Sequence, residues 1–164
     1  MSSSRSGQIT AFAAIGAAFL ALTPVVATAA APPPTIAPCS PPGKGRFITY
    51  VASEATTSPT FVNIPKTRVR FDQGTKAGCV IIRFTANMQA APTGDMVVRA
   101  LLDNSTTAHP SSVSFGSADV TGATIEFIFL NVAPGVHHVD MQFLSFGGGQ
   151  ASVSKPTTFV HYGQ

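Results

Sequence analysis

From Arg46 to the C-terminus apolar residues return at every second position, and this period constrains the fold more than any other feature of the chain. Period two puts successive side chains on opposite faces of a strand, whereas a helix needs spacings of three and four. Ten segments carry the alternation or the β-branched and aromatic bias of strands: 47–52, 60–64, 67–71, 79–87, 96–102, 112–115, 124–132, 136–146, 151–154 and 157–162. Turn formers separate them, among them Asp72-Gln73-Gly74, Thr93-Gly94-Asp95, Asp103-Asn104, Thr121-Gly122 and Gly147-Gly148-Gly149. Ala133-Pro134-Gly135-Val136 suits a type II turn, since Pro presets φ at the second position and Gly supplies φ > 0 at the third.

The faces follow from the period. Val69 and Phe71 share one face, with Arg68 and Arg70 on the other; Ile125, Phe127 and Phe129 share a face, as do Val139, Met141 and Phe143 opposite His138, Asp140 and Gln142. Many short strands with one apolar face each must pair two sheets to hide those faces. A closed barrel of the lipocalin type would need longer and more uniform strands. The expectation is an all-β, antiparallel two-sheet sandwich over 46–164. The chain is 45% hydrophobic and 10% charged, against about 25% charged in ordinary soluble domains, a balance that excludes disorder and long coiled coils.

The N-terminus reads as a secretory signal over 1–29. Arg5 gives the positive start, the run 9–22 is apolar, Thr23-Pro24 break it, and small residues precede a cleavage point after Ala29. An uncleaved anchor is the alternative, but the run has about 14 residues where a span takes about 20. A lipoprotein is disfavoured because Ala37-Pro38 precede Cys39. Residues 30–45 are too rich in Pro for a helix or a central strand and read as a polyproline-like linker. The expected location is secreted or periplasmic. In such a compartment Cys39 and Cys79 form a disulfide, free thiols being the alternative; a metal site lacks the accompanying Cys-x-x-Cys or Cys-x-His spacing. The net charge of +3 includes Arg5, which leaves +2 on the mature chain, without any Lys/Arg run that would suggest nucleic acid.

Four pieces in order, 79–87 (CVIIRFTAN), 96–104 (MVVRALLDN), 125–141 (IEFIFLNVAPGVHHVDM) and a Gly-rich loop followed by 151–162, resemble a family of small secreted bacterial β-sandwich proteins of uncharacterised role. Those are similar in outline to the jelly-roll domains of the tumour-necrosis-factor and C1q class. The stretch Pro134-Gly135-Val136-His137-His138-Val139 stands where that family tends to have a Gly-Thr-His-Thr-Val type of sequence. The family's Trp a few residues later is replaced by Phe143. The resemblance implies a jelly roll and a homotrimer as in the C1q class, and carries no catalytic signature. An immunoglobulin-like sandwich is the alternative, although its Cys–Trp–Cys arrangement is missing.

The candidate chemistry is sparse. His138 and Asp140 lie two apart on one strand. If Gly147–Gly149 closed a simple hairpin, Val136 would face His161, and the three could approach a Zn²⁺ or Cu²⁺ ion. The bland alternative is a polar outer face, and Pro156 makes the register insecure. Gly116-Ser117-Ala118-Asp119 places Ser beside an acid, but in turn residues and without a nucleophile elbow. Glu126 shares a face with Ile128 and Leu130, which suits a sheet rim or a cation partner. Lys66, Arg68 and Arg70 form a cationic row at strand spacing that could meet an acidic polysaccharide, or simply keep an edge soluble. With no Trp, Tyr50 and Tyr162 alone as tyrosines, and most Phe residues taken as core, aromatic surface for sugars is thin. Asn104-Ser105-Thr106 matches a glycosylation acceptor of eukaryotic secretion. No cofactor is called for. The sequence thus points to a secreted, non-catalytic binding or structural domain, with a polysaccharide or an envelope protein as partner classes. Its alternatives are a carbohydrate-binding or adhesion module and a metal-dependent enzyme on His138, Asp140 and His161.

Overall fold

A computed structural model describes Cys39, residues 43–116 and residues 118–163. The expected signal segment and all of the Pro-rich stretch up to residue 42 except Cys39 lie outside the described residues, as does Ser117. Eleven strands follow in chain order: β1 (Lys44–Thr49), β2 (Ser53–Thr56), β3 (Val62–Asn63), β4 (Val69–Asp72), β5 (Gly78–Gln89), β6 (Asp95–Leu102), β7 (Thr106–Thr107), β8 (Val113–Phe115), β9 (Thr121–Val132), β10 (Val136–Phe146) and β11 (Ala151–Tyr162). Lys44 and Gly45, read above as linker, are the first residues of β1. The two final strand segments of the sequence reading are one strand, β11. Its register shifts between Ser154 and Thr157, where Lys155 takes φ of 51° and Pro156 cannot donate to the ladder.

The strands form two antiparallel sheets. One reads β1-β11-β5-β9, with β2 continuing the β1 edge along β11; the other reads β3-β10-β6-β7, with β4 on β10 and β8 on β6. Taking the eight principal strands, the orders are β1-β11-β5-β9 and β4-β10-β6-β8. The first strand lies beside the last in one sheet, and the second beside the next-to-last in the other, which is a jelly roll.

Alternation does what the sequence demanded. Phe71, Phe84, Phe127, Phe129, Phe143, Met88, Met96, Met141 and Ile82 are almost completely buried between the sheets. Each contributes about 1.5–3 kcal/mol of burial. The Cys39–Cys79 disulfide, Cα atoms 5.4 Å apart, ties the leading segment to the start of β5.

One connection differs from expectation. Gly147, Gly148 and Gly149 do not close a β10–β11 hairpin: β10 pairs with β3, β4 and β6, and β11 with β1, β2 and β5. The glycines carry the chain from one sheet to the other. All three have φ between 86° and 91°, and a Cβ on Gly149 would come within 2.5 Å of that of Ala91. Only glycine combines that backbone conformation with so close an approach.

Candidate functional site

The polar side chains gather at the β4/β10 edge, His138 and Asp140 on its outer face and His137 on the inner one, its ring 5.7 Å from that of Phe71. Register sets Arg70 beside His138 and Val69 beside Val139, while Arg68 sits just before β4. The Arg68 guanidinium grips the Asp140 carboxylate through Nε (2.9 and 3.1 Å) and Nη2 (2.8 Å), and Nη2 also donates to Asn104 Oδ1 at 3.3 Å. Asp140 is only 5% exposed, so the fork is what satisfies its carboxylate. The bond to Asp140, and then its charge, raise the Arg68 pKa further.

A second carboxylate comes from the β6–β7 turn, where Asp103 and Asn104 have φ of 49° and 61°. These are conformations that Asp and Asn tolerate best after glycine. Asp103 Oδ1 accepts the His138 backbone N–H at 2.9 Å and lies 3.3 Å from His138 Nδ1. Oδ2 lies 2.6 Å from His137 Nδ1, and His137 Nε2 donates to the Ala133 carbonyl at 2.9 Å. Both ring nitrogens of His137 therefore face acceptors, an arrangement that only the imidazolium satisfies fully. Burial opposes that charge, but the bonds to Asp103 and Ala133, with the charges of Asp103 and Asp72, outweigh it and raise the pKa above 6.5. For Asp103, burial pushes upward, while the bonds from His137 and the His138 N–H and both imidazole charges bring the pKa below 3.8. His138 Nε2 lies 3.6 Å from Asp140 Oδ2 and, among the described residues, makes no hydrogen bond. The result is a chain of mutual partners, His137–Asp103–His138–Asp140–Arg68.

Beside this chain runs an open groove of about 500 Å³, lined by Gly45, Arg46, Phe47 and Ile48 of β1 and by Arg68, Val69 and Arg70. Arg46 crosses the sandwich edge to donate from Nη1 to the Arg70 carbonyl at 3.1 Å. The groove continues into a depression walled by Arg68, Arg70, Val136, His137 and His138. Three arginines thus converge where β1 of one sheet meets β4 of the other.

Placement of the sequence candidates is uneven. His138 and Asp140 are neighbours, but His161 lies in the opposite sheet, facing Gly45 and Ile81, with its ring 4.2 Å from that of Phe159. The proposed three-residue metal set is therefore not assembled, and the described residues hold no group of three or more His, Cys, Asp or Glu suited to a metal ion. Lys66 departs from the row: it adopts φ of 57° and sets its ammonium 4.5 Å over the Tyr50 ring. Arg46, unremarked in the sequence, takes its place in the groove. Glu126 has the cation partner its position suggested, Arg83, at 2.7 Å. Phe71, Phe84, Phe127, Phe129 and Phe143 are core, but Phe47 is not: it is 68% exposed and stacks on Phe159 at 6.1 Å with 4° between ring planes. The outward polar residue His161, two positions from Phe159, was the signal that could have placed that ring outside.

No family model and no curated protein matches the chain. Solved structures of similar fold include the infectious bursal disease virus Gx strain (12% identity, TM-score 0.45, 79% of this chain and 34% of that one). The T=1 particles derived from infectious bursal virus give 12% identity, TM-score 0.44 and coverage of 80% and 35%. A family two carbohydrate esterase from Cellvibrio japonicus gives 19% identity, TM-score 0.30 and coverage of 72% and 34%. The chain spans about a third of the length of each. Among the described residues no helix is long and apolar enough to cross a membrane.

Proposed function

We propose that this protein is an extracytoplasmic, non-catalytic jelly-roll domain that binds its partner at the β1/β4 edge. The observation that carries the reading is the division of labour there. Asp103 and Asp140 are held by His137, the His138 N–H and Arg68 and keep the edge in shape, while Arg46 and Arg70, outside that set of pairs, line an open groove together with Arg68. A preorganised cationic surface of this kind selects ligands by charge. The disulfide supports the extracytoplasmic location. The strand order is that of a jelly roll, the fold the resemblance implies. The test is titration against immobilised acidic and neutral polysaccharides and peptidoglycan, with polymer length measured before and after. Saturable binding with unchanged polymer is expected; absence of any binding refutes the binding role, and shortened polymer refutes the non-catalytic one.

A further inference from the structure

We infer that the groove and the adjoining outer face of the β1-β11-β5-β9 sheet form one binding site for an acidic polysaccharide, a polymer whose sugar rings carry carboxylates. The inference rests on the binding role proposed above and names its ligand. Charge complementarity supplies the first argument. Against the three groove arginines stand Asp140, buried against Arg68, and Asp72, two residues from Arg70 on the same strand, while Asp103 is shared between two histidines. The groove therefore keeps an excess of positive charge for a ligand to neutralise.

The second argument is what lies across the β1 edge from those arginines. Phe47 lines the groove and also begins a cross-strand row, Phe47–Phe159–Arg83–Glu126, on the outer sheet face. The rings of Phe47 and Phe159 are parallel to within 4° with centroids 6.1 Å apart, and the far end of the Phe159 ring reaches over Gly45, where a Cβ would meet it at 2.8 Å. The exposed Phe47 ring and its parallel neighbour make an apolar ledge, suited to the C–H face of a sugar ring. The next row along the strands is four threonines, Thr49–Thr157–Thr85–Thr124, paired through their hydroxyls at 3.1 and 2.9 Å. A ledge of rings bordered by hydroxyls on one side and guanidiniums on the other matches a polymer that is apolar on its ring faces, hydroxylated at its rims and anionic at intervals. A lipid surface would have no use for the threonine row, and rows that cross the four strands β1, β11, β5 and β9 favour an extended chain over a small anion.

The test is calorimetric titration of the full chain with polygalacturonate, alongside neutral dextran, phosphatidylglycerol vesicles and poly-dT. Polygalacturonate binding that weakens with added salt is expected. Arg46→Gln with Arg70→Gln should lower affinity about tenfold or more, because a charge-assisted hydrogen bond contributes at least the 1.4 kcal/mol that equals a factor of ten. Phe47→Ser, at a side chain already exposed, should also weaken binding but leave the salt dependence unchanged, and Lys76→Gln, the loss of one positive charge outside the groove, should do nothing. Thermal unfolding of each variant confirms that it folds. The inference is overturned if Lys76→Gln matches the arginine pair, if Phe47→Ser has no effect, if vesicles or poly-dT bind as tightly, or if sedimentation shows a self-association that Phe47→Ser abolishes. Binding to dextran alone overturns it while leaving the binding role intact; binding to none of the polymers removes both.

Discussion

Asp103 is the residue whose replacement best separates a structural clamp from a reactive cluster. Its carboxylate takes His137 Nδ1 at 2.6 Å and the His138 N–H at 2.9 Å, from a turn position at φ of 49°. Asp103→Asn keeps an oxygen for the His138 N–H and keeps the left-handed tolerance, but discards the charge facing His137. A charge-assisted bond contributes about 1.5–3 kcal/mol when sheltered, and solvent screening at a side chain 39% exposed reduces this to about 1 kcal/mol. Asp103→Ala loses in addition the bond to the backbone, about 1 kcal/mol, and strains alanine in the left-handed region by about 1 kcal/mol more, for about 3 kcal/mol in total. Asp103→Gly, free of that strain, should fall between them. Urea unfolding gives the values, and pH fixes the sign. His137 has a raised folded pKa, so its contribution is complete below about 6.5 and is lost as pH rises through the folded value; Asp103 has a depressed one, so its contribution is present above about 3.8 and is lost as pH falls through the folded value. The pair is at full strength between those limits. The Asp103→Asn penalty should be largest near pH 5 and shrink as pH rises through the folded His137 value. A penalty that grows as pH rises from 5 through the folded His137 value, or an alanine variant no worse than the asparagine one, refutes the clamp.

Reducing the disulfide, or Cys39→Ser with Cys79→Ser, removes a cross-link over a sequence separation of 40, and stability measured by urea unfolding should fall by about 4 kcal/mol in the chain-entropy picture. Phe127→Ala, at a ring with no exposed surface, should cost about 3–5 kcal/mol by the same assay. Gly94→Ala would drive a methyl into the Phe146 carbonyl where the 91–94 turn passes the glycine loop; a lower melting temperature, equivalent to about 1–3 kcal/mol, is expected.

The sandwich was legible because its signal is local and redundant. Val136–Phe146 is β10 with unchanged limits, and the residues assigned inward on it, Val139, Met141 and Phe143, are all buried. A one-residue slip would have turned that whole set to water, so each strand reports its own face. Short edge pieces lack this redundancy. β2 and β7 have no apolar stripe of their own and form because β11 and β6 offer them ladder partners. The left-handed turn at Lys66 was equally silent, since it depends on buried Thr67 bonding the Ile64 carbonyl at 2.7 Å.

Alternation fixes which way a side chain points, but not which strand lies beside it, and the functional surface depends on the second. A hairpin between β10 and β11 would have set His138 near His161 and favoured a metal site. The glycine loop instead sends β11 across to the other sheet, where it pairs with β1 on one side and β5 on the other. That single choice separates the two histidines and assembles something else. It lays Phe159 against Phe47, completes the threonine row, and leaves β1 at an edge from which Arg46 reaches Arg70. Residues 46 and 70 lie on different sheets, and 47 and 159 at opposite ends of the domain, so no sequence window contains either pair. The cationic ledge is therefore a property of the jelly-roll crossing itself, and any substitution that preserved every strand but restored a β10–β11 hairpin would abolish it.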